Sequence, residues 1–233
     1  MSTVVAVDGP SGSGKSSVSR EVARRLGLAY LDTGAMYRAA TWWCLEQGVP
    51  LTDGAAVTAA VRDLPLVMGV DPARPTVTVA GHDVGAAIRT TEISSRVSAV
   101  ATNLDARAEL GRRQRELIDA ERTGGWSAGR GVVAEGRDIT TVVAPDADVR
   151  VLLTADEAAR LARRAREVHG TDDAAALAAT HDQVVRRDAQ DSTVVEFQVA
   201  ADGVVTVDSS ELDLEQTVDA VLDVVRRATT PQA

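Results

Sequence analysis

The glycine-rich segment at residues 9–16 (GPSGSGKS) is the part of the sequence whose residue types and spacing predict chemistry most clearly. A glycine and four variable residues precede Gly-Lys-Ser, which is the pattern of a phosphate-binding loop. Lys15 is also the only lysine of the chain. A compact ammonium on a flexible stem suits a tight loop around a triphosphate better than a planar guanidinium does. The alternative, a chance Gly/Ser-rich turn, leaves the placement of this lysine unexplained.

The residues on either side of the loop support this interpretation. Residues 3–7 (TVVAV) form an apolar run typical of a buried strand, and the sequence from Lys15 to about Leu26 predicts a helix that ends at Gly27. A helix N-terminus adds about half a positive charge and unpaired N–H donors beside a bound phosphate. Lys15 is expected to contact the β- and γ-phosphates, and the hydroxyl of Ser16 is expected to ligate Mg²⁺. The residues predicted to bind ATP are Gly9, Pro10, Ser11, Gly12, Ser13, Gly14, Lys15, Ser16 and Ser17.

Length and composition limit the classes of protein to which the chain can belong. Its 233 residues are 45% hydrophobic and carry a formal net charge of −9, which favours a globular protein and argues against a general basic surface for nucleic acid polymers. The sequence shows no apolar stretch of about 18–20 residues and no signal peptide, so we expect a cytoplasmic protein that does not bind membranes. The single cysteine, Cys44, cannot form an internal disulfide, and the three histidines lack the spacing of zinc ligands. We expect a monomer.

Strand and helix signals alternate at both ends of the chain, a pattern typical of a parallel sheet covered by helices. The predicted elements are strands at residues 29–32, 132–135, 149–153 and 204–208, a helix at residues 35–47, and an amphipathic helix at residues 213–227. In the middle of the chain, residues 66–70 and 76–80 predict short antiparallel strands. We therefore predict an α/β fold in which a small β-rich insertion interrupts a parallel sheet.

Two further motifs follow predicted strands. They are residues 32–38 (DTGAMYR) and residues 135–138 (EGRD). In an open parallel sheet, ligands bind beyond the carboxyl ends of the strands, so both motifs and the phosphate-binding loop should converge on one cleft. Together with Ser98, Arg107 and the longer run GVVAEGRDI, these motifs resemble those of the bacterial cytidylate kinases, and the resemblance extends over roughly residues 4–227.

The resemblance implies a fold and an activity. It implies a three-layer P-loop NTPase fold in one kinase domain at residues 1–233, with a nucleoside-monophosphate-binding region at 35–105, a β-rich insertion at about 64–89 within it, and a helical lid at 156–190. The implied reaction is transfer of the γ-phosphate of ATP to CMP or dCMP with Mg²⁺ as cofactor. ATP and CMP or dCMP are then the only expected partners.

The functional residues of that family correspond to named positions of this sequence. Those expected to bind CMP are Thr33, Arg38, Ser98, Arg107, Arg137, Asp138, Arg187 and Asp191. Within this group the resemblance assigns the cytosine edge to Ser98, Arg107 and Asp138. Those expected to be catalytic are Lys15, Arg137, Arg160 and Arg164, and Arg163 lies on the same predicted lid helix.

The sequence departs from the family pattern at two positions. Thr140 stands where the family usually has glycine, so we expect a crowded turn beside Arg137 and Asp138. Val194 stands where many members have a further arginine, so we expect weaker ribose and phosphate contacts from that segment.

Other interpretations of these residues stay open at this point. Arg137 and Asp138 could form a structural ion pair with each other. Glu135 is a candidate to hold a water bound to Mg²⁺. The chain could also be another small-molecule P-loop kinase, or a nucleotide-binding regulatory ATPase.

Overall fold

The computed structural model describes residues 2–230, apart from the side chains of residues 182 and 183. Its strands are Thr3–Asp8 (β1), Ala29–Asp32 (β2), Leu66–Gly69 (β3), Thr76–Val79 (β4), His82–Asp83 (β5), Gly131–Gly136 (β6), Val149–Thr154 (β7) and Val205–Asp208 (β8). Its α-helices are Lys15–Leu26 (α1), Thr33–Glu46 (α2), Gly54–Arg62 (α3), Thr91–Arg96 (α4), Ser98–Ala101 (α5), Leu104–Thr123 (α6), Glu157–His169 (α7), Ala174–Asp191 (α8) and Leu214–Thr229 (α9). A 3-10 turn at Ala87–Arg89 and a π-helical turn at Ile139–Val143 complete the regular structure.

The main sheet is parallel, and β1 lies at its centre. The strand order is β2-β6-β1-β7-β8, and each neighbouring pair runs in the same direction. Asp8, the last residue of β1, is level with Gly136 of β6 and with Leu152 of β7. The carboxyl ends of β1, β2 and β6 lie side by side. The parallel sheet with its covering helices confirms the predicted α/β fold.

Alternation along β1 explains why helices cover both faces of the sheet. Val4 and Ala6 belong to one buried cluster, which includes residues of α2 and α6. Val5 and Val7 belong to a second cluster on the opposite face, formed with α1 and α9. Because successive side chains of a strand point to opposite faces, a strand that is apolar at every position needs cover on both sides. A three-layer arrangement is the result.

The helix boundaries follow from capping residues. The helix α1 ends where predicted, because Gly27 adopts a left-handed conformation with φ of 66° and closes the helix. The helix α2 begins at Thr33 rather than at the predicted Ala35. The carboxylate of Asp32 accepts a hydrogen bond from the Ala35 N–H at 2.7 Å, so Asp32 both ends β2 and caps α2.

The predicted antiparallel strands in the middle of the chain are present. The order of the small sheet is β3-β4-β5, with Leu66 opposite Val79 and Gly69 opposite Thr76. Val79 is fully buried in the same cluster as the apolar residues of α2. The small sheet therefore packs against the main core.

Helices α7 and α8 form a hairpin after β7, within the region predicted as a lid. Asp156 caps α7 and Asp173 caps α8. Within residues 2–230, none of the helices is both long and apolar enough to cross a membrane.

Candidate active site

The glycine-rich loop leaves the sheet directly after β1 and passes between β7 and α7. A Cβ added to Gly9 would lie 2.1 Å from the carbonyl oxygen of Leu153, and one added to Gly12 would lie 2.5 Å from the carbonyl oxygen of Arg160. Both glycines have positive φ angles, 154° and 79°. The loop can follow this path only with glycine at these positions, because a side chain would collide with rigid backbone.

Lys15 lies at the first position of α1, where the backbone leaves the loop. Its ammonium donates a hydrogen bond to the carbonyl oxygen of Pro10 at 2.8 Å, so the side chain folds back over the loop. Burial, followed by the charge of Arg137, lowers the pKa of Lys15 to about 8. Glu135 and Asp188 oppose this shift. Lys15 is therefore charged at neutral pH but close to its titration range.

The next residue, Ser16, is bonded to the end of β6. Its hydroxyl donates to Oε1 of Glu135 at 2.6 Å, and the hydroxyl of Tyr30 donates to the same oxygen at 3.1 Å. Because the Ser16 proton is engaged, the lone pairs of its oxygen stay available for a cation. Burial raises the pKa of Glu135. A serine oxygen beside a carboxylate is the kind of hard oxygen set that Mg²⁺ accepts together with substrate phosphates.

No cluster of three or more histidine, cysteine, aspartate or glutamate residues in the described part of the chain could hold a metal by protein ligands alone.

The DTGAMYR motif contributes a second basic group. The guanidinium of Arg38 donates to Asp32 at 3.0 Å, and Asp32 is fixed because it also caps α2. The hydroxyl of Thr33 donates to the backbone oxygen of Glu135 at 2.7 Å, which ties the start of α2 to the end of β6. The DTGAMYR motif is thus bonded to the backbone of Glu135, and the phosphate-binding loop is bonded to its side chain through Ser16.

Arg137 and Asp138 do not pair with each other; each is bonded to a different part of the chain. Asp138 forms an ion pair with Arg107, and both side chains are largely buried. The Arg107 guanidinium also donates to the carbonyl oxygen of Ala101 at 2.8 Å and lies 5.5 Å from the centre of the Tyr37 ring. These contacts place a fixed hydrogen-bond donor beside a fixed acceptor.

Arg137 points towards α8 instead. Its guanidinium pairs with Asp191 and, at 3.0 Å, with Asp188, and it lies 4.7 Å from the centre of the buried Phe197 ring. Ser98 reaches the same group, because its hydroxyl donates to Asp191 at 3.5 Å. The structure therefore brings together most of the residues predicted to bind CMP.

Asp188 joins this group to the phosphate-binding loop. One carboxylate oxygen accepts from the Ser11 N–H at 3.1 Å and from Arg137, and the other accepts from Arg160. Arg160 also donates to the carbonyl oxygen of Ser11 at 3.0 Å. A single carboxylate thus connects the loop with one arginine from each side of the cleft.

The three arginines of α7 are placed differently from one another. Arg160 contacts the phosphate-binding loop as described above. Arg164 pairs with Glu167 at 2.8 Å and lines a cavity that also includes Ser11 and Arg187. Arg163 donates to Ser209 and to the carbonyl oxygen of Ser13 at 3.4 Å, which fastens α7 to the loop after β8.

Several buried polar atoms around the cleft have no hydrogen-bond partner. In the described part of the chain they include Ser13 Oγ, Arg38 Nε and Arg187 Nε. The nearest carboxylate oxygen of Asp191 lies 3.7 Å from Arg187 Nε, too far for a hydrogen bond. Burial and the charge of Arg137 lower the pKa of Arg187 to about 9. Unsatisfied buried donors near a phosphate-binding loop indicate a site for an anionic ligand.

The two departures from the family pattern have different outcomes. Thr140 is buried, and its hydroxyl donates to Asp8 at 2.7 Å. Val194 contributes no charge, and its backbone N–H donates to the Asp191 carbonyl oxygen at 3.2 Å. Residue 194 therefore adds no positive charge to those of Arg137 and Arg187.

Three residues to which the sequence assigned no role are prominent in the site. Asp188 lies between two predicted residues of α8, and Tyr37 lies within the DTGAMYR motif, so both had a signal in their position. Asp8 ends the apolar run of β1, and a charge at the last position of a buried strand is itself unusual.

Comparisons with known proteins give one consistent result. The family described as cytidylate kinase matches residues 5–227. A cytidylate kinase of Streptomyces avermitilis is 46% identical over 223 residues, which cover 95% of this chain and 92% of that protein. A cytidylate kinase of Nocardia farcinica is 49% identical and covers 95% of this chain and 93% of its own length. One of Streptomyces griseus is 47% identical, with 96% and 93% covered.

The close approach of Gly12 to α7 generates a first prediction. Gly12→Ala should weaken ATP binding by at least about tenfold, because the new Cβ must displace the backbone at Arg160 and distort the loop. The matched control is Gly170→Ala, since Gly170 also has a positive φ, 75°, but has no neighbour within 4 Å of an added Cβ. Calorimetric titration with ATP should show weakened binding for Gly12→Ala only. Equal affinities in both variants would contradict the steric argument.

The lowered pKa of Lys15 generates a second prediction. Bound triphosphate favours the protonated ammonium, so ATP affinity should be nearly constant below the pKa of about 8 and fall as the pH rises through it. Dissociation constants measured from about pH 7 to about pH 9.5 should show an increase that approaches tenfold per pH unit above about pH 8. In Lys15→Arg the guanidinium stays protonated over this range, so the increase should be much smaller. The same increase in both proteins would show that another group titrates.

Proposed function

Because the chain belongs to the cytidylate kinase family, we propose that its cleft transfers the γ-phosphate of ATP to CMP or dCMP. One observation carries the assignment of the site: the turn that bears Arg137 and Asp138 lies against the phosphate-binding loop, with an Arg137 donor 3.4 Å from the carbonyl oxygen of Gly9. A group that recognises an acceptor is thus adjacent to the group that holds the donor phosphates.

The phosphate-binding loop and the start of α1 hold the donor nucleotide. Backbone N–H groups of the loop and the N-terminus of α1 contact the phosphate oxygens, and Lys15 contributes a mobile charge. Arg160 approaches the same place from α7, since it already contacts the loop at Ser11. In this proposal Arg160 stabilises the charge of the group in transfer.

Arg38 and Arg137 hold the phosphate of the acceptor. Arg38 keeps one Nη on Asp32, and Arg137 keeps Nε on Asp191 and one Nη on Asp188, which fixes the orientation of both side chains. The unpaired Nε of Arg38 is a donor available to an incoming phosphate. The Arg187 guanidinium, which also has an unpaired Nε, contributes to the same site.

Base selection follows from the Arg107–Asp138 pair. Cytosine presents an acceptor nitrogen beside an exocyclic amine, which matches a guanidinium donor beside a carboxylate acceptor. Uracil presents the opposite order, so its carbonyl would face the Asp138 carboxylate. Because the pair is buried and fixed, the wrong base leaves its groups unpaired, and discrimination should be strong. In this proposal Ser98 also contacts the cytosine edge, and its hydroxyl is oriented by Asp191.

The chemistry requires no general base. The acceptor is a phosphate whose second pKa of about 6 leaves it mostly dianionic at neutral pH. The protein has to hold two anions in line, offset their repulsion and exclude water. The helices α7 and α8 carry Arg160, Arg164 and Asp188 over the loop, which suits them to act as a lid.

Mg²⁺ is part of this proposal. Ser16 would ligate it directly, and Glu135 would hold a water bound to it, since the two side chains are already joined by a hydrogen bond. When bound, the cation would neutralise charge on the phosphates of ATP. A cytoplasmic location, a monomeric state and the lack of nucleic acid or membrane partners remain predictions from the sequence.

A panel of acceptors tests the proposed function. ADP formation from ATP and Mg²⁺ would be measured with CMP, dCMP, UMP, AMP, GMP and no acceptor. We expect strong stimulation by CMP and dCMP, and a kcat/KM for UMP lower by at least about 10²-fold. The Lys15→Ala variant should show no transfer while its circular dichroism spectrum is unchanged.

The other outcomes of the panel assign the chain elsewhere. Preference for a different acceptor would indicate another small-molecule kinase. Turnover that is independent of any acceptor would indicate a regulatory ATPase.

The placement of the α7 arginines generates a separate prediction. Arg160→Ala should lower kcat with CMP by up to about 10³-fold, because it removes a cation that lies at the phosphate-binding loop. Arg166→Ala on the same helix removes an exposed arginine that pairs with Asp172, and it should leave kcat unchanged. Steady-state kinetics of both variants give the comparison. A similar loss in both would mean that the substitutions act through the stability of α7.

A further inference from the structure

Asp8 is a buried carboxylate whose bonds all point away from the phosphate-binding loop that it precedes. It is 2% exposed, and it is the last residue of β1, directly before Gly9. Its described side-chain hydrogen bonds all come from the turn after β6. Oδ1 accepts from the Ile139 N–H at 2.9 Å, and Oδ2 accepts from the Thr140 N–H at 2.8 Å and from the Thr140 hydroxyl at 2.7 Å.

The turn that Asp8 holds is the one that carries the acceptor-recognising residues. Arg137 and Asp138 immediately precede Ile139 in sequence, and the backbone oxygen of Asp138 accepts from the N–H groups of residues 142 and 143 at 2.9 and 3.0 Å. Ile139 is fully buried and Thr140 is 3% exposed, so the start of the turn is packed in the core. The position of the turn is therefore determined by its hydrogen bonds to Asp8.

We infer that Asp8 and Thr140 are positioning residues that fix the turn bearing Arg137 and Asp138 to the start of the phosphate-binding loop. This inference rests on the proposed function, because it concerns how that site selects its acceptor. The two residues contact neither substrate. They act through the backbone, because they join the start of the phosphate-binding loop to the turn that bears Arg137 and Asp138.

The Thr140 hydroxyl is the part of this connection that can be removed most gently. Two backbone N–H groups would still reach Asp8 in its absence, but Oδ2 would lose one of its two donors. A buried carboxylate oxygen that loses a donor is poorly compensated, and a methyl group in place of the hydroxyl would push against it. The turn should then shift, and Asp138 with it.

The choice of base is the property that such a shift should change. Asp138 and Arg107 read the cytosine edge in the proposed site, and the loop holds ATP independently of them. Displacement of the turn should therefore reduce the preference for CMP over UMP more than it changes the KM for ATP. A merely structural role would lower the activities with CMP and with UMP in the same proportion.

The test compares three variants of the full chain. Thr140→Val removes the hydroxyl but keeps the branched shape, and Thr140→Ser keeps the hydroxyl. Thr141→Val is the matched control, because Thr141 lies in the same turn with an exposed side chain. The ratio of kcat/KM for CMP to that for UMP would be measured for each, together with the KM for ATP and the thermal unfolding midpoint.

We expect Thr140→Val to lower the CMP-to-UMP ratio by about tenfold, since one hydrogen bond to a charged group is lost. Thr140→Ser should retain the ratio of the unsubstituted chain within about threefold. Thr141→Val should leave it unchanged, and the KM for ATP should be similar in all three. If Thr140→Val fails to fold, Asp8→Asn with an intact Thr140 provides the second disrupted protein.

An unchanged ratio in folded Thr140→Val, or an equal loss with both acceptors, would overturn the inference. That result differs from failure of the proposed function, in which the unsubstituted chain itself would not prefer CMP.

Discussion

The concentration of positive charge at one end of the sheet is the constraint on which the rest of the site depends. Lys15, Arg38, Arg137, Arg160 and Arg187 all lie around the phosphate-binding loop and the motifs beside it. Burial, followed by repulsion from Arg137, lowers the pKa of Lys15 to about 8 and that of Arg187 to about 9. Such a cluster persists only where carboxylates compensate for it or an anion binds to it. The acidic residues of the cleft are therefore as important to its architecture as the basic ones.

The compensating carboxylates come from two parts of the chain that differ in how they are held. Glu135 lies in β6 and is bonded to Ser16 and Tyr30, so it belongs to the rigid sheet. Asp188 and Asp191 lie on α8, outside the sheet. Asp188 accepts from the Ser11 N–H and from two arginines, which are the kinds of donor that a triphosphate also requires. The carboxylates of α8 therefore occupy donors of the phosphate-binding loop and of the cleft arginines in this structure.

The parts of the site that could be predicted from the sequence are those specified by short, contiguous patterns. The phosphate-binding loop, the strand before it and α1 were predicted within one residue, because glycine spacing and apolar runs are local signals. The hydrogen bond from Thr140 to Asp8 could not be predicted, because the two residues are 132 positions apart in the sequence. The different contacts of Arg160, Arg163 and Arg164 were also beyond the sequence. The partner of each arginine depends on how α7 packs against the phosphate-binding loop and the end of β8. The spacing of the three residues along the helix does not determine these partners.

The same constraint explains why arginine is used around the cleft while the only lysine lies in the loop. Arg187 keeps its charge at neutral pH although its surroundings lower its pKa to about 9. A lysine in that environment would lose part of its charge at neutral pH, because its ammonium is the weaker base of the two. Lys15 retains its charge because Glu135 and Asp188 partly offset the effect of burial. A cleft that gathers several buried cations can therefore use lysine only where anions surround it, and the phosphate-binding loop is that place.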